Sequence, residues 1–122
     1  SMLRGGIYLK EHPVDGQVGA WNAGIISYFS QQPIVNLDGL VNDDVLEYAK
    51  TGRLSDYVAL RKIDYIMDFP LMLSGYFSES HGYGDGKLLT CMSPEYVIPA
   101  STVAGEFGGK LTLYRIRGGC LR

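Results

Sequence analysis

Two short apolar runs flanking one helical stretch limit what this chain can fold into more than any other feature. Val18-Gly19-Ala20-Trp21 has the continuous apolar character of a buried strand, and Asp15-Gly16 supplies the turn before it. Asn22 follows as a helix N-cap, because its side-chain oxygen can accept a free N–H of the first turn. Ala23 to Ser30 then carries Ile25, Ile26, Tyr28 and Phe29 as a largely buried helix that Pro33 ends, and Ile34 to Gly39 is the next strand. Strand, short helix and strand in this order form a βαβ unit, which sets the two strands parallel with a right-handed connection.

A second crossover follows the first. Asn42 is placed to cap a helix whose first turn holds Asp43 and Asp44 against the positive end of the dipole, and Gly52 stops it. Ser55 is read as the cap of a third helix, Asp56 to Arg61, and Ile63 to Phe69 as a third strand ahead of Pro70. Residues 2 to 12 read as a helix from the spacing of Leu3, Ile7 and Tyr8, closed by Pro13. Gly5 and Gly6 weaken it, each costing about 1 kcal/mol relative to alanine, so it needs packing to persist.

From Leu71 onward glycines and serines break the chain into short apolar patches such as Leu88 to Met92, and long helices are not expected. Lys110 to Ile116 alternates with period two. Leu111, Leu113 and Arg115 share one face, and Thr112, Tyr114 and Ile116 the other, as in a final strand antiparallel to its neighbour. The expected class is α/β: a small open sheet with parallel βαβ units in the N-terminal half and an antiparallel C-terminal strand, as one domain over residues 1–122.

The 122 residues are 46% apolar, enough to bury roughly two-thirds of the unfolded surface without staples. Eleven basic residues against 13 acidic ones leave a charge of -2 without blocks, which argues against a nucleic-acid partner. Cys91 and Cys120 have no C-x-x-C spacing and no histidine at ligand spacing, so a zinc site is not expected; whether they bridge is left open, and no metal or cofactor is assigned. No apolar run reaches the length of a membrane span, and the start lacks a basic-then-apolar signal pattern. Ser1 ahead of Met2 reads as a cloning remnant, as expected for a piece of a longer protein.

In open parallel sheets, ligands bind beyond the carboxyl ends of the strands. Trp21 and Asn22 lie at that edge after the first strand. Asn36 and Asp38, two apart and on one face, lie there after the second. These four residues are the expected ligand- or partner-binding set, and no catalytic residue is assigned. The bland reading of Asp38 is a carboxylate satisfied by backbone N–H groups in the turn through Gly39. His81 to Lys87 is glycine-rich but lacks the phosphate-loop spacing, and reads as a surface loop. His12 and His81 have no nucleophile in a recognisable context. Asp64 and Asp68 read as markers of strand ends.

Val18 to Gly24, Tyr28-Phe29-Ser30, Val35 to Asn42, Ile63 to Ile66 and the closing Leu113 to Ile116 together resemble a segment near the end of large bacterial membrane proteins. These are polyprenyl-phosphate-sugar glycosyltransferases of the arabinosyl- and mannosyl-transferase type. The resemblance covers roughly residues 7 to 69 plus the last strand and includes no catalytic signature. The Trp21-Asn22-Ala23-Gly24 turn is also similar in position to the W-W-D-Y-G turn of oligosaccharyltransferase catalytic subunits, departing from it with one Trp, Asn for Asp and Ala for Tyr.

The resemblance implies a non-catalytic accessory domain on the extracytoplasmic face of the bacterial cytoplasmic membrane. Its implied partners are the membrane-embedded portion of a parent protein and a glycan or polypeptide acceptor. The alternatives are a free-standing small cytoplasmic enzyme using the crevice near Asp38, or a self-associating binding module built on the tyrosine-rich C-terminal half.

Overall fold

The computed structural model describes residues 2–21, 23–37, 43–51, 53–73, 86–99 and 109–121. Among these, the helices are α1 (Met2–Glu11), α2 (Ala23–Ser30), α3 (Asp43–Lys50), α4 (Leu54–Leu60), α5 (Pro70–Leu73) and α6 (Gly86–Thr90). The strands are β1 (Gln17–Ala20), β2 (Ile34–Asn36), β3 (Ile63–Asp68), β4 (Met92–Val97) and β5 (Thr112–Ile116). They form one open sheet in the order β2-β1-β3-β5-β4. β1 pairs in parallel with both β2 and β3, while β5 runs antiparallel to β3 and β4. The parallel N-terminal half and the antiparallel last strand are therefore both present.

The sheet divides two cores. On one face Leu9 of α1 and Ala23 and Ile26 of α2 pack over Val18, Ala20, Tyr65, Met67, Leu111 and Leu113. On the other, Val45, Leu54, Tyr57, Val58, Leu73 and Leu88 from α3 to α6 cover Ile66 and Tyr114. The alternation in β5 is what serves both faces, with Leu113 in the first core and Tyr114 in the second.

Gly5 and Gly6 are explained by contact. A Cβ on Gly6 would stand 2.7 Å from the Cβ of Phe29 and 3.0 Å from the carbonyl oxygen of Ile26, so the absence of a side chain is what lets α1 reach α2. On Gly5 it would meet Leu111 Cδ2 at 2.6 Å. The close approach offsets the weak helix propensity noted above.

Trp21 lies in the turn after β1 and not in the strand. Ser55 does not cap α4: the helix begins at Leu54 behind Arg53, which makes no side-chain cap bond, and Ser55 is buried in its first turn. The apolar patch Leu88 to Met92 divides between the end of α6 and the start of β4, and β4 runs on through Val97, where no strand is expected because Pro94 and its exposed neighbours give it no alternation. Asn42 and Gly52 lie outside the described residues. Gln31 and Lys62, after α2 and α4, adopt left-handed backbone at φ 56° and 54°, which turns the chain into the next strand.

Candidate functional site

The rim at the carboxyl ends of the parallel strands forms as the βαβ reading requires. Ala20 is the register partner of Asn36, and the Leu37 N–H donates to the Ala20 carbonyl at 2.9 Å. Trp21 and Asn36 are thus brought to one edge; Asn22 and Asp38 lie outside the described residues. The Trp21 side chain packs partly buried against the second core, as an apolar anchor.

The carboxylate facing Trp21 is Asp68, at the end of β3. Its Oδ2 accepts the Trp21 N–H at 3.0 Å and its Oδ1 accepts the Phe69 N–H at 2.9 Å. Asp68 is only 4% exposed. A buried carboxylate in low dielectric is held by such charge-assisted bonds, and here they join β3 to the turn that leaves β1. Asp68 was legible only as a strand end, since its partner is 47 residues away.

A second constellation, which the sequence did not reveal, lies on the α1–α2 face. The end of α1, β4 and β5 enclose two adjoining hollows of about 220 and 350 Å³ that share Tyr8 and His12. The Tyr8 ring is stacked between His12, at 4.5 Å between centroids, and Tyr96, at 4.1 Å and nearly parallel. Ile98 and Leu113 supply apolar walls.

Polar groups run along this trough as a chain. The Tyr65 hydroxyl donates to Asp15 Oδ1 at 3.1 Å and accepts from the Arg115 guanidinium at 2.7 Å. Arg115 Nε donates to Glu95 Oε2 at 3.0 Å, and the guanidinium also lies over the Tyr65 ring. The Tyr8 and His12 pair follows from their i, i+4 spacing at the end of α1, where the His12 N–H still donates to the Tyr8 carbonyl. Glu95 and Arg115 meet only because β4 and β5 pair, with Ser93 opposite Arg115. No sequence motif could have announced them.

Burial first, and then the hydrogen bond to Asp15, raises the Tyr65 phenol above its ordinary 10.0. Burial likewise raises Tyr114, on the other face. An unfolded chain therefore gives up these protons at a lower pH than the folded one. Stability associated with the two phenols is fully present below pH 10.0 and is lost as the pH rises through their folded values. Urea unfolding across that alkaline range should show this decline, and Tyr65→Phe should make it shallower. An unchanged slope would show that Tyr65 takes no part.

Arg115 is paired with Glu95, Asp15 accepts from the Tyr65 hydroxyl, Arg4 and Glu11 also line the hollows, and these planar donors and acceptors stand beside aromatic rings. His12 Nδ1 sits 3.2 Å from the Tyr8 carbonyl oxygen, a satisfied position at the end of α1. Among the described residues no group of three His, Cys, Asp or Glu is placed to hold a metal ion.

Residues 3–114 match a family model described as a domain of unknown function. No curated protein and no solved structure matches the chain.

Proposed function

We propose a role starting from the premise that this chain belongs to the DUF8728 family, a domain of unknown function: a non-catalytic accessory domain that receives a glycan acceptor for a glycosyltransferase-like membrane protein. The observation that carries this reading is the trough. Sugars present apolar C–H faces to aromatic rings and pairs of hydroxyls to planar carboxylate and guanidinium groups. The Tyr8, His12 and Tyr96 stack beside Asp15, Glu95 and Arg115 offers both kinds of contact. A peptide acceptor fits less well, because the neighbouring edge strand β4 carries Pro94, which lacks an N–H, and an irregular register between Pro94 and Tyr96.

Two further features support the placement. Cys91 and Cys120 form a disulfide, the usual state of such a pair in an oxidising compartment outside the cytoplasm. α1 and α2 leave Leu3, Ile7, Ile25 and Phe29 partly exposed, and Tyr28 is 77% exposed. An apolar surface of this kind suits packing on the membrane-embedded part of a parent protein. No helix among the described residues is long and apolar enough to cross a membrane.

Titration of the chain with short mannose and arabinose oligosaccharides, followed by backbone amide NMR, tests the proposal. Saturable shifts are expected at Tyr8, Glu95 and Tyr96, with binding weakened about tenfold in Tyr96→Ala through the lost ring contact. Absence of any saturable binding would remove the acceptor role. Turnover of a lipid-linked sugar by this chain alone would overturn the non-catalytic reading.

A further inference from the structure

On the opposite face of the sheet from the trough, the turn between α4 and β3 meets the segment that follows β5. A cavity of about 230 Å³ lies between them. Pockets for drug-sized ligands run from roughly 300 to 1,000 Å³, so only a small molecule fits here. Its polar lining is Lys62, Asp64, Arg117 and the backbone of Gly118 and Gly119, and its apolar lining includes Val58, Ile63 and Leu121.

The polar groups are arranged in favour of negative charge. Lys62 is set into the left-handed region at φ 54°, and its ammonium has no partner among the described residues. The Arg117 guanidinium donates to the Thr90 carbonyl and approaches Cys120 Sγ, which anchors it beside the cavity. The Cys120 N–H donates to the Arg117 carbonyl at 3.2 Å, closing a turn with Gly118 and Gly119 at its centre. Gly119 has the φ of 80° that the third position of a type II turn demands. A Cβ on Gly118 would meet nothing within 4 Å, so packing does not explain that glycine. The N–H groups of both glycines have no partner among the described residues.

Asp64 is the opposing charge. Its Oδ2 accepts the Gln17 N–H at 3.2 Å, and a Cβ on Gly16 would lie 2.7 Å from its Cγ, so this carboxylate is engaged at the start of β1. Two cations and two unpartnered amides remain against one committed carboxylate. We infer that this cavity binds a small oxyanion carrying a short apolar body, with Lys62 and the Gly118-Gly119 amides holding the anionic oxygens and Val58, Ile63 and Leu121 covering the apolar part. The Cys91–Cys120 disulfide holds the glycine wall in place by tying its turn to the residue before β4.

The test is amide NMR on the chain titrated separately with butyrate, inorganic phosphate and 1-butanol. Butyrate is expected to give saturable shifts at Lys62, Gly118 and Gly119 and at Val58 and Ile63; phosphate is expected to shift the first three only, and butanol none of them. Lys62→Asn, which keeps a residue at ease in left-handed backbone, is expected to weaken butyrate about tenfold through the lost charge. Cys91→Ser with Cys120→Ser should abolish the glycine shifts while spectra of the sheet persist. Linear, unsaturable shifts, equal response to butanol, or undiminished binding in Lys62→Asn would overturn the inference. If the serine pair unfolds the chain, the Lys62→Asn comparison decides alone. Because the trough is on the other face, failure here leaves the glycan reading untouched.

Discussion

Replacing Cys91 and Cys120 together by serine is expected to lower the free energy of unfolding by about 3.5 kcal/mol, the loop-entropy value for the 29-residue separation that the bridge spans. The mechanical reason lies in the topology. β4 is an edge strand attached to the sheet through β5 alone, and it carries an irregular register and a proline. Cys91 stands directly before β4 and is buried, while Cys120 stands in the turn after β5, so the bridge pins the free ends of this pair to each other. The Arg117 N–H, which donates to the Cys91 carbonyl at 2.8 Å, continues the pairing to that point. Urea unfolding of the oxidised chain, of the same chain after reduction and of the double serine variant would measure the effect. Coincident midpoints for all three would show that no bridge contributes. Since Tyr96 is on β4, loss of the bridge should also loosen one wall of the trough.

Asp68→Ala is expected to cost about 3 kcal/mol, at the upper end for a buried hydrogen-bonding group whose loss strands its partners. Two N–H groups, from Trp21 and Phe69, lose their acceptor at once, and the site is too closed for water to replace a carboxylate fully. Asp68→Asn should fall between, because its carbonyl oxygen can still accept one of the two N–H groups while its amide confronts the other. The comparison distinguishes the hydrogen bonds from the volume of the side chain. If alanine proved neutral, the joint between β3 and the Trp21 turn would not be a source of stability. The effect should also be visible locally, as faster hydrogen exchange at the Trp21 amide.

The elements that could be read in advance are those whose signal is local. Val18 to Ala20 and Ile34 to Asn36 are short apolar strands bounded by turn residues, and the helix between them leaves no room for a hairpin. Their parallel pairing, and the placing of Trp21 and Asn36 at one edge of the sheet, follow from that order alone. The period-two alternation over 111–116 likewise divides Leu111 and Leu113 from Tyr114 and Ile116, which lie in opposite cores. β4 leaves no signal in the sequence, because an edge strand exposed from Ser93 to Val97 has no buried face to impose alternation. Ser55 has the residue type of a cap, yet α4 begins at Leu54 and Ser55 lies buried inside it. In the trough, Tyr65 is 50 residues from both Asp15 and Arg115, a distance at which no spacing rule operates.

Composition and periodicity by themselves determined an α/β chain with parallel strands first and an antiparallel strand last, because hydrogen bonding and side-chain period act between near neighbours. Which carboxylate meets Trp21, which rings stack beside Arg115, and why α1 contains Gly5-Gly6 were decided only in three dimensions. Along the chain those two glycines count as a loss of helix stability. In the fold they let α1 lie against Phe29 and Leu111, a contact available only after the strands between have brought the distant segments together.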